Sequence, residues 1–302
     1  MRYTPFSVEL FKKNRAKLYA QLPPKSIVVI SSNDIMPTNA DGTMGFRQNS
    51  DLFYLSGLDQ EETFLILYPD APEAQWREIA FVRETSELIA IWEGHKYTKE
   101  EASSISGIKN IQWTTNFDSL IKTLIYSADH LYLTDNEHLR NASVVQTQNA
   151  RLGISLRELY PNHAIGRLAP ILSDLRMQKE PEELQALQVA CDITEKGFRR
   201  VLNFTKPGVT EYEIEAEFIH EFTRNRSEGF AYTPIIASGA NACVLHYIDN
   251  ALPCKDGDML LLDVGASYAN YNADMTRTIP VNGRFSPRQK QVYQAVHAVL
   301  DY

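Results

Sequence analysis

Cysteine is scarce in this chain of 302 residues: Cys191, Cys243 and Cys254 are the whole complement, with no CxxC spacing. An odd count without that spacing argues against both a disulfide framework and a cysteine-ligated zinc site. Long apolar runs are missing as well. No stretch approaches the roughly 20 residues of a membrane span, and the opening MRYTPFSVELFKKNR has no apolar segment of signal-peptide length. Positive charge is not in excess either. A net charge of -8 and a pI near 5.5 argue against a nucleic-acid or anionic-membrane surface, because such partners select clustered Lys and Arg. The short basic patch FKKNR at residues 11–15 reads as a solvated helix face. The expectation is a cytoplasmic protein that binds neither nucleic acid nor membrane.

What remains is an ordinary globular composition, 44% hydrophobic and 23% charged, in a chain long enough for two domains. In the first half, short β-branched or aromatic runs at residues 26–32, 63–69, 78–84 and 130–135 read as strands, and residues 7–22 and 117–126 read as helices, with Ser7 as an N-cap. That alternation predicts an α/β domain over residues 1–170. Residues 171–302 then read as a second, α+β unit. Its first helix follows Pro181, with Leu184, Leu187, Cys191, Thr194, Phe198 and Val201 as the apolar stripe. Its second is marked by Thr210 and Glu213 as a capping pair, Ile214, Phe218 and Phe222 as the inward face, and Gly229 as the stop.

The stretch LLLDVGASYANYNADMTRTIPVNG at residues 260–283 places two aspartates in strand-like surroundings. Leu260, Leu262 and Val264 alternate with Leu261, Asp263 and Gly265, the period of a strand. A hairpin turning at Tyr268 and Ala269 would set Asp263 directly opposite Asp274, where like charges are destabilising. A shared proton, a nearby Arg or Lys, or a divalent cation would relieve that. Arg277 has the wrong parity to help, which favours the cation, although the hairpin alone leaves a structural ion-pair network open as well. His246, in ANACVLHYIDN, is by itself more often structural than catalytic, and the other six histidines show no ligand spacing. In the predicted register Thr276 shares a face with Asp274 and is a candidate donor to it.

The segments ASGANACVLHYIDN and KDGDMLLLDVGASYANYNADMTRTIPVNGRFSPRQKQVY closely resemble the M24 metallopeptidases of the pita-bread fold, and within them the aminopeptidase P branch. FRQNSDLFYLSGLDQEE and IWEGHKYT resemble the amino-terminal domain of aminopeptidase P and creatinase relatives, and RMQKEPEELQALQVACDITEKGF resembles the start of the catalytic domain. The resemblance implies an amino-terminal α/β domain joined to an α+β pita-bread catalytic domain. It implies a metallo-exopeptidase that releases the amino-terminal residue from peptides with proline in second position, with prolidase or a non-catalytic peptide-binding protein as the alternatives. The implied cofactor is a pair of divalent ions, manganese before zinc, cobalt or magnesium, with Asp263 and Asp274 as ligands. His246 is implied as a catalytic residue, Tyr232 and Asn241 as substrate-pocket residues, and a homo-oligomer, dimer or tetramer, as the assembly.

In one respect the sequence departs from the family. The resemblance calls for a further histidine and two glutamates after the second aspartate, yet after Asp274 there is no Glu, and His297 is the sole histidine. Together with the apolar pattern at Val292, Val296, Val299 and Leu300 running to the last residues, this leads to the expectation of a catalytic domain incomplete at its carboxyl end. Such a chain is expected to bind metal weakly or not at all and to lack peptidase activity, because two carboxylates supply too few ligands for a stable two-metal centre.

Overall fold

Ser7 starts the first helix as its position suggests: its hydroxyl accepts from the Glu9 N–H at 3.2 Å, and α1 (Val8–Tyr19) follows. The structure, a computed structural model, describes residues 3–302. It divides the chain into one unit of residues 5–180 and another of residues 181–302 with residues 3–4.

In the first unit α1 is followed by β1 (Ser26–Ser31), α2 (Ser50–Ser56), β2 (Phe64–Leu67), β3 (Glu78–Val82), α3 (Glu87–Glu93), α4 (Lys99–Ser106), β4 (Asn110–Trp113), α5 (Phe117–Leu124), β5 (His130–Leu133), α6 (Gln148–Leu159), β6 (Ala164–Arg167) and α7 (Leu168–Met177). The strands form one mixed sheet in the order β4-β3-β2-β1-β5-β6. Within it β1, β5 and β6 run parallel, and β2 is antiparallel to both β1 and β3. All of β1 is buried, as expected for a strand covered on both faces. Val28 and Ile30 pack with Leu52 and Leu55 of α2, Ala102 of α4 and Leu168 and Leu172 of α7. Ile27 and Val29 pack with Phe117 and Ile121 of α5 and Leu156 of α6. The result is helix, sheet, helix, the α/β arrangement the sequence predicts. The burial of Leu168 and Leu172 also explains why the division comes after Glu180 rather than at residue 170: α7 belongs to the first core.

The second unit begins with α8 (Pro181–Phe204) and α9 (Glu211–Arg224), continues with β7 (Gly229–Phe230), β8 (Ile235–Ser238), β9 (Met259–Val264), β10 (Ala266–Tyr268), β11 (Tyr271–Asn272) and β12 (Met275–Pro280), and closes with α10 (Pro287–Asp301). Glu213 Oε2 accepts from the Thr210 N–H at 2.7 Å and from its hydroxyl at 2.8 Å, so the capping pair forms. Ile214, Phe218 and Phe222 are buried, but the helix stops at Asn225, and Gly229 opens β7 instead.

The stripe expected on α8 is rotated. Leu184 and Cys191 are exposed, while Ala186, Ala190, Ile193 and Gly197 join Thr194, Phe198 and Val201 inside. Close packing against α9 is the cause: a methyl group on Gly197 would lie 2.8 Å from Phe218 Cδ1 and 2.9 Å from Phe222 Cε1, so that face takes small residues.

Two three-stranded sheets follow, β11-β10-β7 and β12-β9-β8. Gly265 alone separates β9 from β10, and Ala273 and Asp274 separate β11 from β12, so both sheets share one long hairpin. Among the described residues no helix is long and apolar enough to cross a membrane.

Candidate metal centre

In β9 Leu260, Leu262 and Val264 are fully buried, and Asp263 is half-buried on the alternate face. The turn of the hairpin differs from the one expected. Tyr268 pairs with Tyr271, so the loop is Ala269 and Asn270 rather than Tyr268 and Ala269. Both loop residues have positive φ, 51° and 65°, as a type I′ turn requires. Asn tolerates this region, whereas Ala269 incurs a cost of about 1 kcal/mol. Asp263 therefore stands opposite Thr276, not Asp274. The slip is by two residues, an even number, so Asp263 and Asp274 still share a face.

Gly265 makes the junction between the two sheets possible. A methyl group on its Cα would lie 1.8 Å from the Ala273 carbonyl oxygen and 3.2 Å from the Asp274 nitrogen, so a side chain there would drive the Asp274 arm away. Gly265 also holds a third segment, because its carbonyl accepts from the Ala231 N–H at 2.8 Å. The next residue, Tyr232, donates its hydroxyl to Asp263 Oδ1 at 2.6 Å and lies 3.0 Å from Asp274 Oδ1. Burial, and then the hydrogen bond and charge of Asp263, push the phenol's pKa up, so it stays a donor. Tyr232 thus ties the two carboxylates together, which the sequence reading, placing it in the substrate pocket, did not foresee.

Thr276 is exposed and forms no hydrogen bond to either carboxylate among the described residues. Arg277 turns to its neighbour, donating to the Thr276 carbonyl at 2.7 Å. Among the described residues no Lys or Arg forms an ion pair with Asp263 or Asp274.

The loop carrying His246 is fixed by a carboxylate that sequence reasoning overlooked. Glu211, in the first turn of α9, is completely buried. Its Oε1 accepts from the Ser238 N–H at 2.8 Å, the Ser238 hydroxyl at 2.7 Å and the Asn241 amide at 3.4 Å. Its Oε2 accepts from the Tyr247 hydroxyl at 2.7 Å and the Leu252 N–H at 2.9 Å. Burial opposes ionisation, but these donors outweigh it and hold the carboxyl below its ordinary pKa. Asn241, expected in the substrate pocket, has its amide committed to this cluster. Tyr247 packs with Ile235, Ala237 and Leu261, and Ile235 pairs with Asp263 and Ala237 with Leu261, so this cluster shares the sheet face of Asp263. His246 precedes Tyr247 and is exposed. The only sequence signal for Glu211 was its place one residue after the Thr210 cap.

Two carboxylate oxygens converge on one hydroxyl that has a single proton to give. The second contact is unfavourable between lone pairs unless a proton or a cation enters, and hard carboxylate oxygens so placed suit a divalent ion. The pair fits part of a metal site. Among the described residues no group of three or more His, Cys, Asp or Glu side chains is arranged to hold a metal ion.

Comparison with known proteins agrees with this chemistry. The family model described as metallopeptidase family M24 matches residues 185–302, and the one described as aminopeptidase P, N-terminal domain, matches residues 11–132. The chain is 32% identical to the Xaa-Pro aminopeptidase of Haemophilus influenzae, over 95% of its own length and 64% of the relative's. It is 30% identical to the Escherichia coli Xaa-Pro aminopeptidase, over 96% and 66%. A solved chain described as an aminopeptidase P from Bacillus anthracis gives a TM-score of 0.91 at 32% identity, covering 98% of this chain and 70% of that one. The chain spans just under two thirds of the length of these two curated relatives. Prolidase and the non-catalytic binding protein are not favoured by these matches.

Proposed function

Because the chain belongs to the M24 metallopeptidase family and carries an aminopeptidase P amino-terminal domain, we propose that the protein is a metal-dependent aminopeptidase that removes the residue preceding proline. The observation that carries this is the convergence of Asp263 and Asp274 on the Tyr232 hydroxyl, with no Lys or Arg among the described residues paired to either. The two aspartates would hold divalent ions, manganese in this reading, which supply Lewis acidity and an activated water.

The protein's own residues do the rest. Tyr232 keeps both carboxylates aimed at one point and, with its pKa raised, does not compete as an anion. His246 would meet the substrate from the loop that Glu211 anchors and hold a proton at its imidazole as the proline nitrogen leaves. An X-Pro bond has no N–H and restricts the preceding residue, so it calls for a pocket shaped around an imino ring. Thr276, paired across from Asp263, would serve as an orienting donor to that carboxylate. The enzyme would work in the cytoplasm as a homo-oligomer on free peptides.

The test uses the complete gene product and a Xaa-Pro-Xaa peptide, with and without manganese. Asp274→Ala should abolish manganese-stimulated cleavage; turnover near that of the unaltered protein would overturn the assignment.

A further inference from the structure

The carboxyl ends of β1 and β5 frame a feature to which peptide cleavage gives no role. These parallel neighbours pair from Ser26 and His130 to Val29 and Leu133, and beyond that they part. From β1 the chain passes to α2 on one face of the sheet, and from β5 it passes to α6 on the other. The Ser31 backbone, which finds no β5 residue beside it, meets a side chain instead: Asn149 accepts from the Ser31 N–H at 2.8 Å and donates to its carbonyl at 3.0 Å. In open α/β sheets, ligands bind where adjacent parallel strands send their connections to opposite faces. A cleft of about 1000 Å³ opens at that point, large enough for a nucleotide-sized molecule.

Three arginines line it, Arg140, Arg167 and Arg176. Arg176 donates to Asp51 Oδ1 at 2.6 Å, and the Thr134 hydroxyl donates to Asp51 Oδ2 at 3.4 Å. Arg167 donates through Nε to Glu137 Oε2 at 2.8 Å. Each carboxylate orients a guanidinium group that keeps further N–H donors available. Arg140 also lines the cleft, and its side chain has no partner among the described residues. α7 begins at the cleft with no side chain capping its first N–H groups. The remaining acidic wall residue, Asp135, accepts from the Asn136 N–H at 2.8 Å. The wall thus carries three arginines and three carboxylates; Arg167 and Arg176 each engage one carboxylate, and Arg140 is the guanidinium without a carboxylate partner among the described residues.

We propose that this cleft binds a small organic polyanion, bearing phosphate or several carboxylates, through Arg140, Arg167 and Arg176. The site lies wholly within residues 5–180 and stands whether or not the metal assignment does.

Calorimetric titration of the chain, freed of metal by a chelator, tests it with ADP in one arm and citrate in the other. Saturable one-to-one binding in either arm is expected, weakened by added salt and reduced about tenfold or more by Arg140→Gln. That substitution breaks no internal contact, so loss of binding is not loss of fold. Asp263→Asn should leave the affinity unchanged, which separates this site from the metal centre. Binding of ADP alone identifies phosphate as the recognised group, and binding of citrate alone identifies carboxylate. No saturable binding in either arm, or binding that survives both Arg140→Gln and Arg167→Gln unaltered, overturns the proposal.

Discussion

Replacing Glu211 by Gln changes one atom and removes one charge from a fully buried cluster, and the cost can be worked out contact by contact. The carboxylate accepts on both oxygens, from Ser238 and Asn241 on one and from Tyr247 and Leu252 on the other. Gln has one acceptor oxygen. If that oxygen faces Ser238, its NH2 group faces the Tyr247 hydroxyl, which can rotate to accept, and the Leu252 N–H, which cannot. One orphaned buried N–H costs about 1–3 kcal/mol, and the surviving bonds lose their charge-assisted strength, about 1 kcal/mol more. The total is about 2–4 kcal/mol, or about a 30- to 1000-fold change in a local opening equilibrium.

The pH dependence follows from the direction of the shift. Folding lowers the Glu211 pKa below its ordinary 4.5, so its stabilisation is complete above that pH and drains away as pH falls through the lowered native value. Tryptophan fluorescence is the wrong probe, since Trp76, Trp92 and Trp113 all lie in residues 5–180. Amide hydrogen exchange at Ser238 and Leu252 reads the cluster directly. Protection in the variant within about threefold of the unaltered protein, or the same decline in acid for both, would show that Glu211 does not hold the loop as argued.

Other expectations are simpler to check. Gly265→Ala should destabilise the second unit by about 3 kcal/mol or more, because the added methyl collides with backbone rather than a movable side chain; circular dichroism during urea unfolding would reveal it. Tyr232→Phe leaves two facing carboxylates without their shared donor, so stability at pH 7 should fall by about 1–2 kcal/mol, and added manganese should raise the variant's Tm more than the unaltered protein's. A variant as stable as its parent would count against the hydroxyl link. Cys254 is buried and its thiol is pushed up to about 11 by that burial. Iodoacetamide at pH 8 should therefore modify the exposed Cys191 and Cys243 well before Cys254.

Much of this fold could be read from residues alone, for a physical reason. The runs that became β1, β2, β3 and β5 are central strands, whose two-sided burial demands continuous apolar sequence. The edge strands β4 and β6 carry NIQW and AIGR, mostly half or fully exposed, and left no such mark. On α8 a pattern search favours large residues, yet packing against Phe218 and Phe222 required small ones. The two aspartates stood out because alternation fixes the face of a side chain. Their register did not, since Asn270 tolerates positive φ in more than one position of a turn and Ala269 gives no signal for it at all. Tyr232 is named by the resemblance as a pocket residue, but its link to the carboxylates was beyond reach for a different reason. The residue lies in the link from β7 to β8, where no periodicity exists, and the Gly265 carbonyl together with the pairing of Phe230 with Ala266 and of Ile235 with Asp263 brings it to the carboxylates.

The even slip in the hairpin has a bearing on how such a protein can change over generations. Inserting or deleting a matched pair of residues at the Ala269 and Asn270 tip lengthens or shortens the arms and leaves both aspartates on one side. A single-residue insertion between Asp263 and the tip, unless absorbed as a bulge, would turn one of them to the far side of the ribbon. Length variation near the tip should therefore be tolerated in twos, and odd changes should arise only together with a bulge that restores the parity.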